Sequence, residues 1–507
     1  MAARGPETGR HAGRAALTAG GLPLMVKLRG RVPRRIRPAG SGKNAAMPAP
    51  RFAMPFFLPV FAFAAAIGAG AFLLGLDVFT TRPVRPVDAL FLATSAVCVT
   101  GLAPFDIFAV YTRPGQCIVL ALVQLGGIGI FTYATLFVHL MGRRISLTDR
   151  VAVEQGLFYD HGFSLSAFVR RVVVLVFVIE AAGALCLLAL GEEEIGPFNA
   201  VFLSVSAFCN AGFAPWGDSL ERFRGAFGLN GILMALIVLG GLGFFVLDDL
   251  LRRLRHGLGR RFGPARRLPQ PENAAPRLSW CSRLVLRTTF WLIVAGGLGI
   301  FALEWRNPAF AGLPVHERLL AAFFESVTCR TAGFDTVNQA SFSTASLFLA
   351  ALLMGIGGSP GSCAGGIKTT TFRVVLAQLR ARLTGRPQAV LQGRGLADAT
   401  ISQAFLLFFC ATFIILAASF AILLLERGAT PHTASAPFFD IAYEVVSAFC
   451  TVGLSLNLTP RLGEASKLVL CCAMFIGKLG PIWLIGAVSQ LTAPQAFRYP
   501  EETLPVG

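Results

Sequence analysis

The sequence predicts an all-α integral membrane protein of eight transmembrane helices, arranged as four copies of one hairpin that each hold a short re-entrant helix. Three observations predict it: a composition suited to lipid, long stretches without charge, and a motif that recurs four times.

Of the 507 residues, 54% are hydrophobic and only 14% charged, with a mean hydropathy of +0.65. Soluble chains carry about 25% charged residues, so lipid is the solvent this composition suits. Residues 52–76, 115–142, 227–247, 342–367 and 401–425 hold no Asp, Glu, Lys or Arg. Each is long enough to cross a hydrocarbon core of roughly 30 Å as a helix. Residues 172–191, 288–303 and 468–490 are shorter or hold one ionisable residue, and they complete the eight.

The net charge of +18 is a statement about topology. With a cytoplasmic N-terminus and alternating spans, cytoplasmic segments hold 33 of the 45 Lys and Arg residues, the bias that fixes orientation. The opposite face holds 16 Asp and Glu residues, which would concentrate cations at an entrance. Basic charge therefore points first to topology, then to anionic membrane lipids, and not to nucleic acid. The eleven cysteines form no CxxC pair and no zinc-like cluster. Residues 1–50 read as a disordered basic tail and not as a signal peptide.

The repeated motif is Ser-x-x-Cys followed closely by glycine: Ser95 to Gly101, Ser206 to Gly212, Ser326 to Gly333 and Ser447 to Gly453. The glycines stand 111, 121 and 120 residues apart, and the third copy carries one extra residue, Arg330. Before each lies an amphipathic stretch too short to cross a bilayer (about 88–98, 198–209, 317–329 and 438–450). Such a stretch reads as a re-entrant half-helix, tolerated at membrane depth only where the backbone beyond it is buried or lines water. Asp88, Asn199 and Asp440 are the expected Asx caps. The helix C-terminal ends would point their partial negative charge inward.

After each half-helix the chain must turn outward while aiming carbonyls at a common axis, which asks for backbone angles that glycine reaches freely. Four such turns make a ring of carbonyls able to replace a cation's hydration shell. The candidate filter residues are Val99, Thr100 and Gly101; Asn210, Ala211 and Gly212; Thr331, Ala332 and Gly333; and Thr451, Val452 and Gly453.

These lines, the run Gln124-Leu-Gly-Gly-Ile-Gly129 and the run from Gly357 to Phe372 resemble the Trk/Ktr/HKT superfamily of potassium transporters over roughly residues 52–490. The Ktr-type membrane subunit is the nearer likeness, because no additional hairpin precedes the first unit. The resemblance implies four M1–P–M2 units around one pseudo-fourfold pore and potassium uptake across the bacterial inner membrane, with both termini cytoplasmic. It also implies a homodimer and a separate cytosolic nucleotide-binding ring of RCK type. Potassium is the expected ion at the filter, and no covalently bound cofactor is expected. Sodium or proton coupling stays open, and the alternative is a sodium-permeable or non-selective transporter of the same fold. A secondary carrier for another solute would show inverted halves, which four same-direction repeats oppose.

The resemblance further implies that residues 355–368 form an intramembrane gate, with Gly357, Gly358, Ser359, Gly361, Ser362, Gly365 and Gly366 giving it flexibility and Lys478 facing it. Pro360 and Cys363 depart from the small hydroxyl or glycine residues usual there, and Lys478 replaces a usual arginine, which keeps charge but not the forked donor geometry. Lys478 is expected to repel cations or tether the loop, the alternative being a pair with Glu180. Glu325, Glu444 and Arg330 are expected either to shape the outer field or to cap and pair with one another.

Gly361 to Thr369 is one residue off a phosphate-binding P-loop, but it interrupts an apolar helix and follows no strand. Together with the absence of any Ser/His/Asp set or catalytic carboxylate pair, this leaves no basis for an enzyme. The expected organisation is a basic tail (1–51), repeats at 52–142 and 143–251, a basic cytoplasmic loop (252–287), repeats at 288–375 and 376–490, and a cytoplasmic tail (491–507).

Overall fold

The computed structural model describes residues 54–129, 165–262, 278–427 and 438–480. The first repeat is α1 (Met54–Leu74), α2 (Pro86–Cys98) and α3 (Arg113–Ile128). The second is α4 (Leu165–Ala189), α5 (Pro197–Cys209) and α6 (Phe227–Leu242), which continues through a sharp elbow into α7 (Phe244–Phe262). The third is α8 (Trp280–Leu303), α9 (Val315–Thr328) and α10 (Thr344–Gly355), followed after a loop by α11 (Thr369–Leu383). A two-residue hairpin, β1 (Val390–Leu391) paired with β2 (Arg394–Gly395), leads into the fourth: α12 (Asp398–Arg427), α13 (Phe438–Phe449) and α14 (Glu464–Leu479). The basic tail, His139 and the residues beyond Gly480, Pro481 among them, lie outside the described residues.

Each repeat is thus a long helix, a short buried helix and a returning helix. The short helices α2, α5, α9 and α13 have 13, 13, 14 and 12 residues, about 20 Å at 1.5 Å per residue. That length falls well short of a roughly 30 Å hydrocarbon core.

The expected Asx caps are not formed. Pro86 and Pro197 take the first helical position, with fixed φ and no donor to satisfy, so the cap residues are Arg85 and Gly196, and neither helix has a side-chain cap. Asp88 and Asp440 lie in the first turn, where a negative charge still favours the helix dipole. Asn199 instead donates to the Glu194 carbonyl at 3.2 Å.

Two of the returning legs are interrupted among the described residues. Among the described residues only Val169–Ala189, Trp280–Leu303 and Asp398–Glu426 are single helices long and apolar enough to cross a bilayer, and α6 with α7 forms a pair bent by 108°. The interruptions fall at Gly243 and at the loop after Gly355; Gly129 and Gly480, the last described residues of the first and fourth legs, share the backbone angle of Gly243, with φ of 89°, 84° and 89° in turn. The charge-free runs 227–247 and 342–367 that read as continuous spans therefore contain an elbow and a loop, because a left-handed backbone angle ends a helix without altering hydropathy.

Contacts run head to tail around the molecule. The returning leg α3 packs on α5, α6 on α9, α10 on α13, and α14 on α2, so the fourth repeat closes onto the first. Close approach fixes three of these legs. A Cβ at Gly126, Gly240 or Gly477 would land on the carbonyl oxygen of Val97, Phe208 or Phe449, at the inner ends of α2, α5 and α13. No glycine of the third leg makes that contact among the described residues. Outward-facing Phe61, Phe72, Phe409, Phe413 and Phe420 are exposed, an apolar perimeter suited to lipid.

Candidate functional site

At the inner end of each short helix the chain enters the left-handed region: Val99, Asn210 and Thr451 have φ of 56°, 61° and 52°, and Thr331 has 71°. For β-branched residues this conformation is rare and costs about 1–3 kcal/mol. Its appearance four times at one topological position marks an imposed geometry. The turns are held locally. Thr100 N–H donates to the Ser95 carbonyl (2.8 Å) and Gly101 N–H to Ser95 Oγ (3.1 Å). Val452 and Gly453 repeat this with Ser447 at 2.8 and 3.1 Å, and Ala211 N–H donates to the Ser206 carbonyl at 2.7 Å.

In the third repeat the extra residue moves the role along the chain. Thr328, not Ser326, accepts at its carbonyl from Ala332 N–H (2.9 Å), and its Oγ1 accepts from Phe334 N–H (2.8 Å). Ser326 instead donates to the Ile293 carbonyl at 2.9 Å.

The four motif glycines, separated by more than a hundred residues each, meet. A Cβ on Gly101 would approach the Ala211 oxygen to 2.6 Å, and one on Gly212 the Ala332 oxygen to 2.6 Å. Gly333 faces the Val452 oxygen in the same way and Gly453 the Thr100 oxygen, closing the cycle. All four have positive φ, at 99°, 72°, 77° and 100°. Both space and backbone angle exclude a side chain. Among the described residues no hydrogen bond ends on a backbone carbonyl of the twelve candidate residues, and the hydroxyls of Thr100, Thr331 and Thr451 are buried without a partner. Buried polar oxygens of this kind are costly unless a ligand satisfies them.

Beneath the ring lies the loop between α10 and α11, which interrupts a helix as the sequence suggested and follows no strand. Its ends are pinned together by Gly357 N–H to the Ile367 carbonyl (2.9 Å) and Thr369 N–H to the Gly358 carbonyl (3.1 Å). Ser362 Oγ donates to the Ser359 carbonyl at 2.7 Å. The loop is then strapped to the second repeat's elbow. Ser359 N–H donates to the Gly241 carbonyl (3.0 Å), Cys363 N–H to the Gly240 carbonyl (3.3 Å), and Phe244 N–H to the Gly361 carbonyl (3.0 Å). A Cβ on Gly365 would strike Thr451 Oγ1, and one on Gly366 would approach Cys450 Cβ to 3.4 Å, so the loop sits directly under the fourth turn.

Three cations grip the loop by its carbonyls: Lys478 Nζ on Cys363 O (2.5 Å), Lys368 Nζ on Ala364 O (2.6 Å) and Arg330 Nη2 on Gly357 O (3.4 Å). The alternative pair of Lys478 with Glu180 is not made. Glu180 is buried and accepts from Gln124 Nε2 (3.1 Å) and the Cys209 thiol (3.5 Å). Glu325 and Glu444 neither face solvent nor pair with Arg330. Glu325 accepts from Gln339 Nε2 (3.0 Å) and Glu444 from Ser455 and Thr459 hydroxyls, because α9 and α13 turn these faces into the interior, where neutral donors are what surrounds them.

A chain whose four repeats close into a ring of glycine turns can now be set beside known proteins. The family described as TrkH, cation transport protein, matches residues 57–496. The chain belongs to this family. TrkH-family relatives include the Ktr system potassium uptake protein B of Bacillus subtilis, 34% identical over 89% of this chain and 96% of that protein. The potassium/sodium uptake protein NtpJ of Enterococcus hirae is 33% identical over 86% of this chain and 94% of its own length. The crystal structure of the potassium transporter TrkH from Vibrio parahaemolyticus superposes with a TM-score of 0.65 at 16% identity, covering 88% of this chain and 86% of that one. That likeness fixes the fold as an all-α membrane architecture of four hairpin repeats. As a TrkH-family member the chain is a cation transport protein and not an enzyme.

The positions that sequence reading missed are Thr328, the elbow glycine Gly243 with its positive-φ counterparts Gly129 and Gly480, and the strap residues Gly240, Gly241 and Phe244. A signal was present for the glycines: Gly126-Gly127-Ile-Gly129 and Gly240-Gly241-Leu-Gly243 share one spacing.

Proposed function

We propose that this chain is the membrane subunit of a potassium uptake system in the bacterial inner membrane, conducting through the ring of Gly101, Gly212, Gly333 and Gly453. The observation that carries the reading is the mutual contact of these four glycines, which brings backbone oxygens from four remote segments within reach of one ion. Potassium sheds water at the outer face, is held by carbonyls of the twelve filter residues, and passes inward when the loop of residues 355–368 moves aside. The glycines at 357, 358, 361, 365 and 366 with Ser359 and Ser362 give the loop its mobility, and Lys478 holds it shut.

The chain works as a homodimer on a separate cytosolic nucleotide-binding ring of RCK type, docked on the basic cytoplasmic segments. Both termini are cytoplasmic, and the repeats run 52–142, 143–251, 288–375 and 376–490. Support comes from the potassium uptake relatives, the basic bias of the inward segments and the strapped loop. A second reading, a sodium-permeable transporter of the same fold, is favoured by the likeness to the potassium/sodium relative NtpJ.

The test is potassium uptake by cells lacking their own uptake systems, with sodium as competitor. Wild type should restore uptake, and Gly→Ser at 101, 212, 333 or 453 should lower rate and discrimination together. Unchanged uptake and discrimination in all four variants would remove the filter. Equal inhibition by sodium in wild type would select the second reading.

A further inference from the structure

We propose that Arg330 is a positioning residue that joins the third filter turn to the intramembrane loop, so that the two move as one. The inference rests on the reading of the ring as filter and the loop as gate. Arg330 is the residue the third repeat has and the other three lack. Counted from the repeat serine, Arg330 stands where Val99, Asn210 and Thr451 turn left-handed, yet it has no positive φ, and Cys329 before it is right-handed with φ −56° and ψ −17°. The left-handed step is deferred to Thr331, and Arg330 fills the gap.

The guanidinium is 5% exposed. Nη2 reaches Gly357 O, the first carbonyl of the loop's glycine run, and among the described residues Nη1 has no partner and the guanidinium no bonded carboxylate. A buried cation with one carbonyl acceptor and no bonded carboxylate is costly, and retaining it implies a use. Its neighbour along the chain, Thr331, carries the strained filter turn, so a shift of the guanidinium is transmitted to that turn through a single peptide. The insertion also falls in the repeat that carries the loop, which is where a link of filter to gate has a purpose. Release of the loop removes the Gly357 acceptor of Arg330 and frees the third turn; a filled third turn, conversely, holds Arg330 against Gly357.

The experiment is a double-mutant cycle in transport. Arg330→Met and Arg330→Lys are measured with the loop intact and in a chain with residues 357–366 deleted, reading potassium flux and potassium-over-sodium discrimination. Detergent gel filtration and surface labelling confirm insertion and assembly of each variant. With the loop intact, Arg330→Met should raise flux about tenfold in the absence of regulation, the scale set by losing a hydrogen bond to a charged group. It should lower discrimination in the same measurement, and Arg330→Lys should restore part of both. In the deleted chain, Arg330→Met should leave flux unchanged. Equal effects with and without the loop would overturn the link, as would a change in flux with no change in discrimination. Absence of transport by wild type would instead remove the underlying function.

Discussion

Lys467 of α14 reaches across the junction between the last repeat and the first to pair with Asp88 of α2, Nζ to Oδ1 at 2.7 Å. The two side chains are 9% and 16% exposed, so the pair closes the ring of repeats inside the protein. Nearby Arg85 and Glu464, at 3.6 Å and largely in solvent, add little.

Lys467→Met strands a buried carboxylate and should cost about 2 kcal/mol or more. Thermal unfolding in detergent should show a clear loss for the single variant and a smaller one for Asp88→Asn with Lys467→Met. Equal loss in both would mean the pair does not hold the junction.

Two glycines in α6 should respond in opposite directions. Gly240→Ala drives a methyl group onto the Phe208 carbonyl and should prevent stable assembly. Gly231 has nothing within 4 Å of a built Cβ, and Gly231→Ala should stabilise by about 0.5–1 kcal/mol through helix propensity. Melting temperatures of the two variants decide it.

The turn-holding hydroxyls should differ by repeat. Ser95→Ala, Ser447→Ala and Thr328→Ala each remove an acceptor of a turn N–H and should cost about 1–2 kcal/mol while lowering ion discrimination. Ser206→Ala, whose hydroxyl has no partner, should be nearly silent. Rubidium uptake with sodium competition measures the order, and a strong effect at Ser206 would contradict it.

The elbow strap can be cut without removing a side-chain partner. Phe244 opens α7, a position that accepts proline, and Phe244→Pro deletes the N–H that holds the Gly361 carbonyl. Flux through Phe244→Pro should rise, whereas Phe244→Leu, which keeps the donor, should stay close to wild type. Lys478→Met, losing the grip on Cys363, should raise flux in the same assay, and Lys478→Arg should not.

The four glycines were legible because a repeat at fixed spacing survives in one dimension, and the loop because its glycines break an apolar run. What escaped was whatever depends on backbone angle or on distant partners. Hydropathy runs straight through Gly243, so the elbow left no trace in the span. Asp88 read as a cap because Lys467 lies 379 residues away. Ser326 matched the motif by letter, yet one inserted residue handed its place to Thr328. Glu180 and Lys478 looked like partners because both are rare charges in apolar helices, while each in fact finds a neutral group.

Among the described residues, three returning legs are seated by a glycine against the inner end of a short helix, and the third is not. Three quarters of the frame are thus braced by this backbone contact, and the third returning leg is not. On the proposed reading of the ring as the ion's path, a rearrangement confined to that sector would leave the other three copies holding their geometry.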